Sequence, residues 1–68
     1  MKIVIAGGTG YLGKLLTTHY LKESKNQVYV LSRKQHLNGE NLHYIKWDGQ
    51  TKGYWMHFLE NTDVLINL

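Results

Sequence analysis

The sequence has no cysteine and no proline, and only 5 of its 68 residues are acidic. Without cysteine, neither a disulfide framework nor a thiolate metal site is possible, and the lack fits a reducing compartment. The histidines His19, His36, His43 and His57 show no H-x-x-x-H spacing, so no metal site is expected. Long apolar runs are also missing. Ile3-Val4-Ile5-Ala6 breaks at once on Gly7-Gly8, too short for a signal-peptide core or a membrane span. No repeat, low-complexity tract or Pro/Gly/Ser linker marks a second domain. The excess of basic residues, 8 Lys and Arg, is spread along the chain rather than gathered on one stretch, which argues against nucleic acid as a partner. A soluble, cytoplasmic chain is the expectation, with a hydrophobic fraction of 43% that is ordinary for a globular domain.

What is present is an alternation of two patterns. Residues 2–6 form a β-branched apolar run, the signature of a strand buried on both faces of a parallel sheet. After the glycine cluster, Leu12, Leu15, Leu16, His19 and Tyr20 recur at helical spacing, with Lys14, Lys22 and Glu23 on the other side. The polar stretch Ser24-Lys25-Asn26 ends that helix, with Asn26 suited to a left-handed conformation. A second strand is expected at 28–31 and a third, shorter one at 42–47. The connection between them, with its Asn38-Gly39 turn signal, has room for one helical turn only. A turn at 48–50 leads into a short helix carrying Tyr54, Trp55, Phe58 and Leu59, which Asn61-Thr62 breaks. The nearly all-apolar residues 63–68 read as a last strand buried on both faces. This order points to an α/β fold, the N-terminal half of a doubly wound Rossmann sheet with four parallel strands in the order 3-2-1-4 and helices on its faces.

The chemistry is concentrated in the glycine cluster. Gly7, Gly10 and Gly13 satisfy G-x-x-G-x-x-G, and Gly8, Gly10 and Gly13 satisfy G-x-G-x-x-G. Such a pattern is weak alone, but here it follows a buried strand and opens an amphipathic helix, the context that dinucleotide binding requires. An early glycine turns the chain off the strand, Gly10 lets a pyrophosphate approach the backbone, and Gly13 lets the helix pack closely. Unpaired N–H groups at the helix start then face the phosphates, aided by the helix dipole. At the end of the second strand an acid would select NAD through the ribose hydroxyls. Ser32-Arg33-Lys34 stands there instead, and a guanidinium suits a 2′-phosphate. NADP is therefore the expected cofactor, with NAD as the alternative.

In order along the chain, the start at 1–13, the Ser32-Arg33 pair, Trp47-Asp48-Gly49 and the segment 63–68 resemble the N-terminal part of the extended and atypical short-chain dehydrogenase/reductase superfamily. Within it the likeness is to NAD-dependent epimerase/dehydratase-type epimerase family proteins. The resemblance implies that Thr9, Tyr11 and Leu12 belong to the turn that wraps the pyrophosphate. It also implies that Asp48 accepts a hydrogen bond from the adenine amino group and that the backbone at Leu68 lines the adenosine ribose. From the residues alone, Asp48 is equally a turn residue beside Gly49, and Trp47 reads as core. The superfamily's Tyr-x-x-x-Lys pair is absent: Tyr11, Tyr20, Tyr29, Tyr44 and Tyr54 are followed four places on by Leu15, Ser24, Arg33, Asp48 and Phe58. No catalytic residue is assigned, and His19 reads as a packed helical residue.

The leading expectation is the cofactor-binding segment of an oxidoreductase or epimerase-like enzyme acting on an unidentified small molecule. The alternative is a non-enzymatic module that senses the dinucleotide and acts through a partner, since one scaffold hosts both. Residues 1–68 read as a fragment of a longer Rossmann chain, because the sequence stops inside an apolar strand whose exposed edge would invite self-association.

Overall fold

The computed structural model describes residues 1–7, 10–34, 36–47 and 59–68. Within them the chain runs β1 (Lys2–Ala6), α1 (Tyr11–Leu21), β2 (Gln27–Ser32), β3 (Leu42–Lys46) and β4 (Val64–Asn67). The four strands form one parallel sheet in the order β3-β2-β1-β4, as the alternation of strand and helix patterns predicts. β1 and β2 are central, and their β-branched residues carry the core: Ile3, Val4, Ile5, Val28, Val30 and Leu31 are all but completely buried. Those six side chains divide between the two faces by the period of two that strands impose.

On one face Ile3, Ile5, Val28 and Val30 pack with Leu42, Tyr44, Val64 and Ile66 against Leu16, Tyr20 and Leu21 of α1. On the other, Val4, Ala6 and Leu31 pack with Tyr29, Ile45, Trp47 and Leu59. The predicted short helix and the turn at 48–50 lie outside the described residues except for Leu59, which contacts this second face.

Some features differ from the sequence expectation. The contact face of α1 is rotated: Gly13 and Thr17 are its buried residues, while Leu12 and Leu15 are 56% and 50% exposed. The helix approaches the sheet along a line of small residues, so the leucines flank that line instead of filling it. His19 is exposed rather than packed into the core, its ring set edge-on to Tyr20 at 5.2 Å. Asn26 does not adopt a left-handed conformation. It is buried, and its Nδ2 donates to the Tyr20 carbonyl near the helix end (2.9 Å) while its Oδ1 accepts from the Met1 amine (3.1 Å). Among the described residues the non-glycine with a positive φ is Asn61, in the turn before β4, where the sequence marks a break.

The connection 33–41 contains no helical turn among its described residues. Instead, Tyr44 N–H donates to Asn38 Oδ1 at 2.7 Å and Gly39 N–H to the Leu42 carbonyl at 2.9 Å, which folds the loop back on β3. Among the described strands β4 pairs with β1 alone, and its residues alternate between half-buried and exposed. Val64 and Ile66 face the helix side, while Leu65 is 58% exposed. Asp63 precedes the strand, and its carboxylate accepts the Lys2 N–H at 2.8 Å. No helix among the described residues is long and apolar enough to cross a membrane.

Candidate functional site

The strands all point the same way, so their carboxyl ends share one edge of the sheet, and a cleft of about 640 Å³ opens there. It lies where the chain order reverses, β1 running to β2 on one side and pairing with β4 on the other. In open α/β sheets this crevice is where ligands bind. Its floor is backbone held in the ladder one step beyond the strands. Gly7 N–H donates to the Leu31 carbonyl (3.1 Å), Leu68 N–H to Ala6 (3.0 Å) and Trp47 N–H to Ser32 (2.7 Å).

Gly7 leaves β1 with φ +79°, a conformation that side chains strongly disfavour. A Cβ there would also come within 3.4 Å of the Leu68 carbonyl oxygen. Gly10 is different. Its backbone is extended, at φ −78° and ψ −176°, so any residue could adopt it. A Cβ added there would meet no heavy atom of the described residues within 4 Å. Among the described residues neither strain nor crowding explains a glycine at this position.

Gly10 is also the N-cap of α1. The first intrahelical bond runs from Lys14 N–H to the Gly10 carbonyl at 3.0 Å, ahead of which stand the amides of Tyr11, Leu12 and Gly13. No side chain caps this end and no acidic residue occupies the first turn. Partial positive charge at a helix start without either is suited to an anion. Tyr11, the first residue of α1, is 81% exposed.

The opposite wall comes from the end of β2. Ser32 is buried, and its Oγ accepts the Lys34 N–H at 3.2 Å, a local bond that turns the chain so that Arg33 and Lys34 lie on the cleft wall. Both are exposed. Among the described residues no carboxylate lines the cleft. The described acids stand at the other edge of the sheet: Glu23 follows α1, Glu40 precedes β3, and Glu60 and Asp63 precede β4.

Of the residues singled out from the sequence, Gly7, Ser32, Arg33 and Leu68 line this one cleft. Gly10, Tyr11, Leu12 and Gly13 form the start of α1 and are not among the residues that line the cleft, and Thr9 and Asp48 lie outside the described residues. Trp47 both packs on the core and lines the cleft. Lys34, His36 and Asn67 also line it. Sequence reasoning missed His36 because its place depends on a ring contact with Tyr44, across the β2–β3 connection (centroids 4.8 Å apart). Asn67 could have been found from its position at the end of an apolar strand. Among the described residues there is no group of three or more His, Asp or Glu that could hold a metal ion.

An NAD-binding family model described as "Male sterility protein" matches residues 5–65, from the middle of β1 into β4. The chain belongs to this family, which lies within the extended short-chain dehydrogenase/reductase and NAD-dependent epimerase/dehydratase superfamily, and it represents the N-terminal region. That is the superfamily to which the glycine cluster and the order of the later motifs point.

Proposed function

Starting from membership of that NAD-binding family, we propose that this segment binds NADP(H) for a short-chain dehydrogenase/reductase-type oxidoreductase. The observation that supports the reading is Gly10 as the N-cap of α1, with no side-chain cap, no acid in the first turn and no described atom within 4 Å of where its Cβ would stand. The pyrophosphate rests there, on Gly10 and the N–H groups of Tyr11, Leu12 and Gly13, with Thr9 completing the turn. Gly7 and the Leu68 backbone underlie the adenosine ribose. Asp48, carried over from the resemblance, accepts from the adenine amino group.

The preference for NADP rests on the wall formed by Ser32, Arg33 and Lys34. A 2′-phosphate beside a guanidinium makes charge-assisted hydrogen bonds, whereas the ribose hydroxyl of NAD finds no described carboxylate to accept from it. When bound, the nicotinamide supplies the hydride chemistry. The residues of this segment contribute orientation, a fixed floor and positive potential. With no Tyr-x-x-x-Lys pair in the sequence, they are not the groups that move the substrate's proton.

The test is calorimetric titration of the full chain with NADP⁺ and with NAD⁺, in wild type and in Arg33→Ala. Wild type should bind NADP⁺ more tightly, and the substitution should remove about tenfold of that preference, the worth of one charged hydrogen bond of about 1.4 kcal/mol. Equal affinity of wild type for both dinucleotides would overturn the cofactor assignment.

A further inference from the structure

Among the described strands β3 pairs with β2 alone, so its other side is an edge of the sheet. Along a parallel strand, alternate residues turn their amide and carbonyl to the same neighbour. Asn41 accepts from Val28 and Trp47 donates to Ser32, so the odd-numbered residues of this stretch face β2, and the backbone of Leu42 and Tyr44 faces outward. A further parallel strand would bond that pair through a single residue, donating to the Leu42 carbonyl and accepting from the Tyr44 amide. The connection from β2 supplies both bonds. Gly39 N–H donates to the Leu42 carbonyl at 2.9 Å, and Asn38 Oδ1 accepts the Tyr44 N–H at 2.7 Å, a side-chain oxygen standing where a strand would offer its carbonyl. We propose that residues 36–41 are a strap that closes the edge of β3 against pairing with β3 of a second copy of this chain. The inference rests on sheet topology and stands whichever dinucleotide the cleft takes.

An open edge is a row of donors and acceptors that templates another strand, and proline is one common means of blunting it. This sequence has no proline. The strap meets β3 for one residue and then leaves, so it satisfies the edge without extending the sheet. Its first residue adds a ring contact, His36 against Tyr44 at 4.8 Å between centroids. Charge flanks the covered pair, with Glu40 ahead of the strand and Lys46 at its end, both exposed. Gly39 needs no left-handed backbone for this, and a Cβ there would meet Leu42 Cβ at 3.7 Å, an ordinary contact. What the position contributes is its N–H. With the strap released, two copies would present the same edge to each other, and such a self-complementary contact closes as a two-fold dimer.

The experiment is sedimentation of the full chain from micromolar to millimolar concentration, with deuterium exchange read at the Tyr44 amide, in wild type, Asn38→Ala, Asn38→Asp, Gly39→Ala and Gly39→Pro. At low concentration the Tyr44 amide of Asn38→Ala should exchange about tenfold faster than that of wild type, the worth of one hydrogen bond. As concentration rises this variant should dimerise and the amide should slow again. Asn38→Asp keeps an acceptor oxygen and Gly39→Ala keeps the amide, so both should sediment and exchange as wild type does. Gly39→Pro removes the other bond and should also dimerise, which decides the matter if Asn38→Ala does not fold. Wild-type sedimentation of Asn38→Ala and Gly39→Pro across the whole range would overturn the inference. So would association in which the Tyr44 amide stays fast, because the contact would then lie elsewhere than on the edge of β3.

Discussion

At the amino end of the strands the polar groups are paired with one another, whereas at the carboxyl end they surround a cleft. Lys2 receives the Asp63 carboxylate on its amide and places its ammonium on the Glu60 carbonyl (2.8 Å each). Asn41 Nδ2 donates to the Ser24 carbonyl, and its Oδ1 accepts from Gln27, whose own Oε1 meets His43 Nε2 at 2.9 Å. His43 in turn stacks on Tyr29 at 4.6 Å, with the Lys2 ammonium 5.1 Å from that ring's centre. Across the sheet the cleft gathers Arg33 and Lys34 with no described carboxylate, and no described atom stands within 4 Å of a Cβ at Gly10. Both ends are polar, so composition does not separate them. What separates them is whether the polar groups are satisfied from within, which is the mark of structure, or directed at a volume shaped for something else.

The sharpest way to break this comparison is Gly10→Val. If the carboxyl end is built for a ligand, dinucleotide binding should fall below detection in a titration. Stability in urea should drop by no more than about 1 kcal/mol, the cost of a poor N-cap. Binding that survives would make this end as structural as the other.

Gly7→Val probes the same turn for the opposite reason. A β-branched side chain at φ +79° should cost about 1–3 kcal/mol of unfolding free energy, measured by denaturant titration, before any ligand is added. The two glycines, three residues apart, thus separate a conformational requirement from a reserved space.

At the amino end, Asn26→Ala removes a buried side chain that bonds both the end of α1 and the Met1 amine. It should lower stability by about 1–2 kcal/mol and leave cofactor affinity, measured on the folded fraction, unchanged. A binding defect there would mean that the two ends are coupled through α1.

Much of this was legible in the sequence, for identifiable reasons. The sheet order followed from β-branched runs at 2–6, 28–31 and 63–68 set around one amphipathic segment, because parallel neighbours need a crossover of one hand. The glycine cluster could be read because its spacing serves two distinct backbone needs. The face of α1 was misread by about one residue, since hydrophobicity counts Leu12 and Leu15 but not Gly13 and Thr17. Close approach of a helix to a sheet selects for smallness, which a search for apolar periodicity does not register. Asn26 and His36 depend on partners such as Met1 and Tyr44, distant in sequence or reached only through a loop, and no local pattern encodes them.

The three amides that extend the ladder beyond the strands, those of Gly7, Trp47 and Leu68, have a consequence for amide exchange with solvent deuterium. Because their carbonyl partners belong to the strands themselves, the floor of the cleft opens only when the sheet opens, and its amides should exchange on the slow scale of the core. The amides of Tyr11, Leu12 and Gly13, at the start of α1, have no intrahelical partner and should exchange quickly. An anion arriving at the cleft would therefore register as slowing confined to three consecutive amides, against a floor that was already slow.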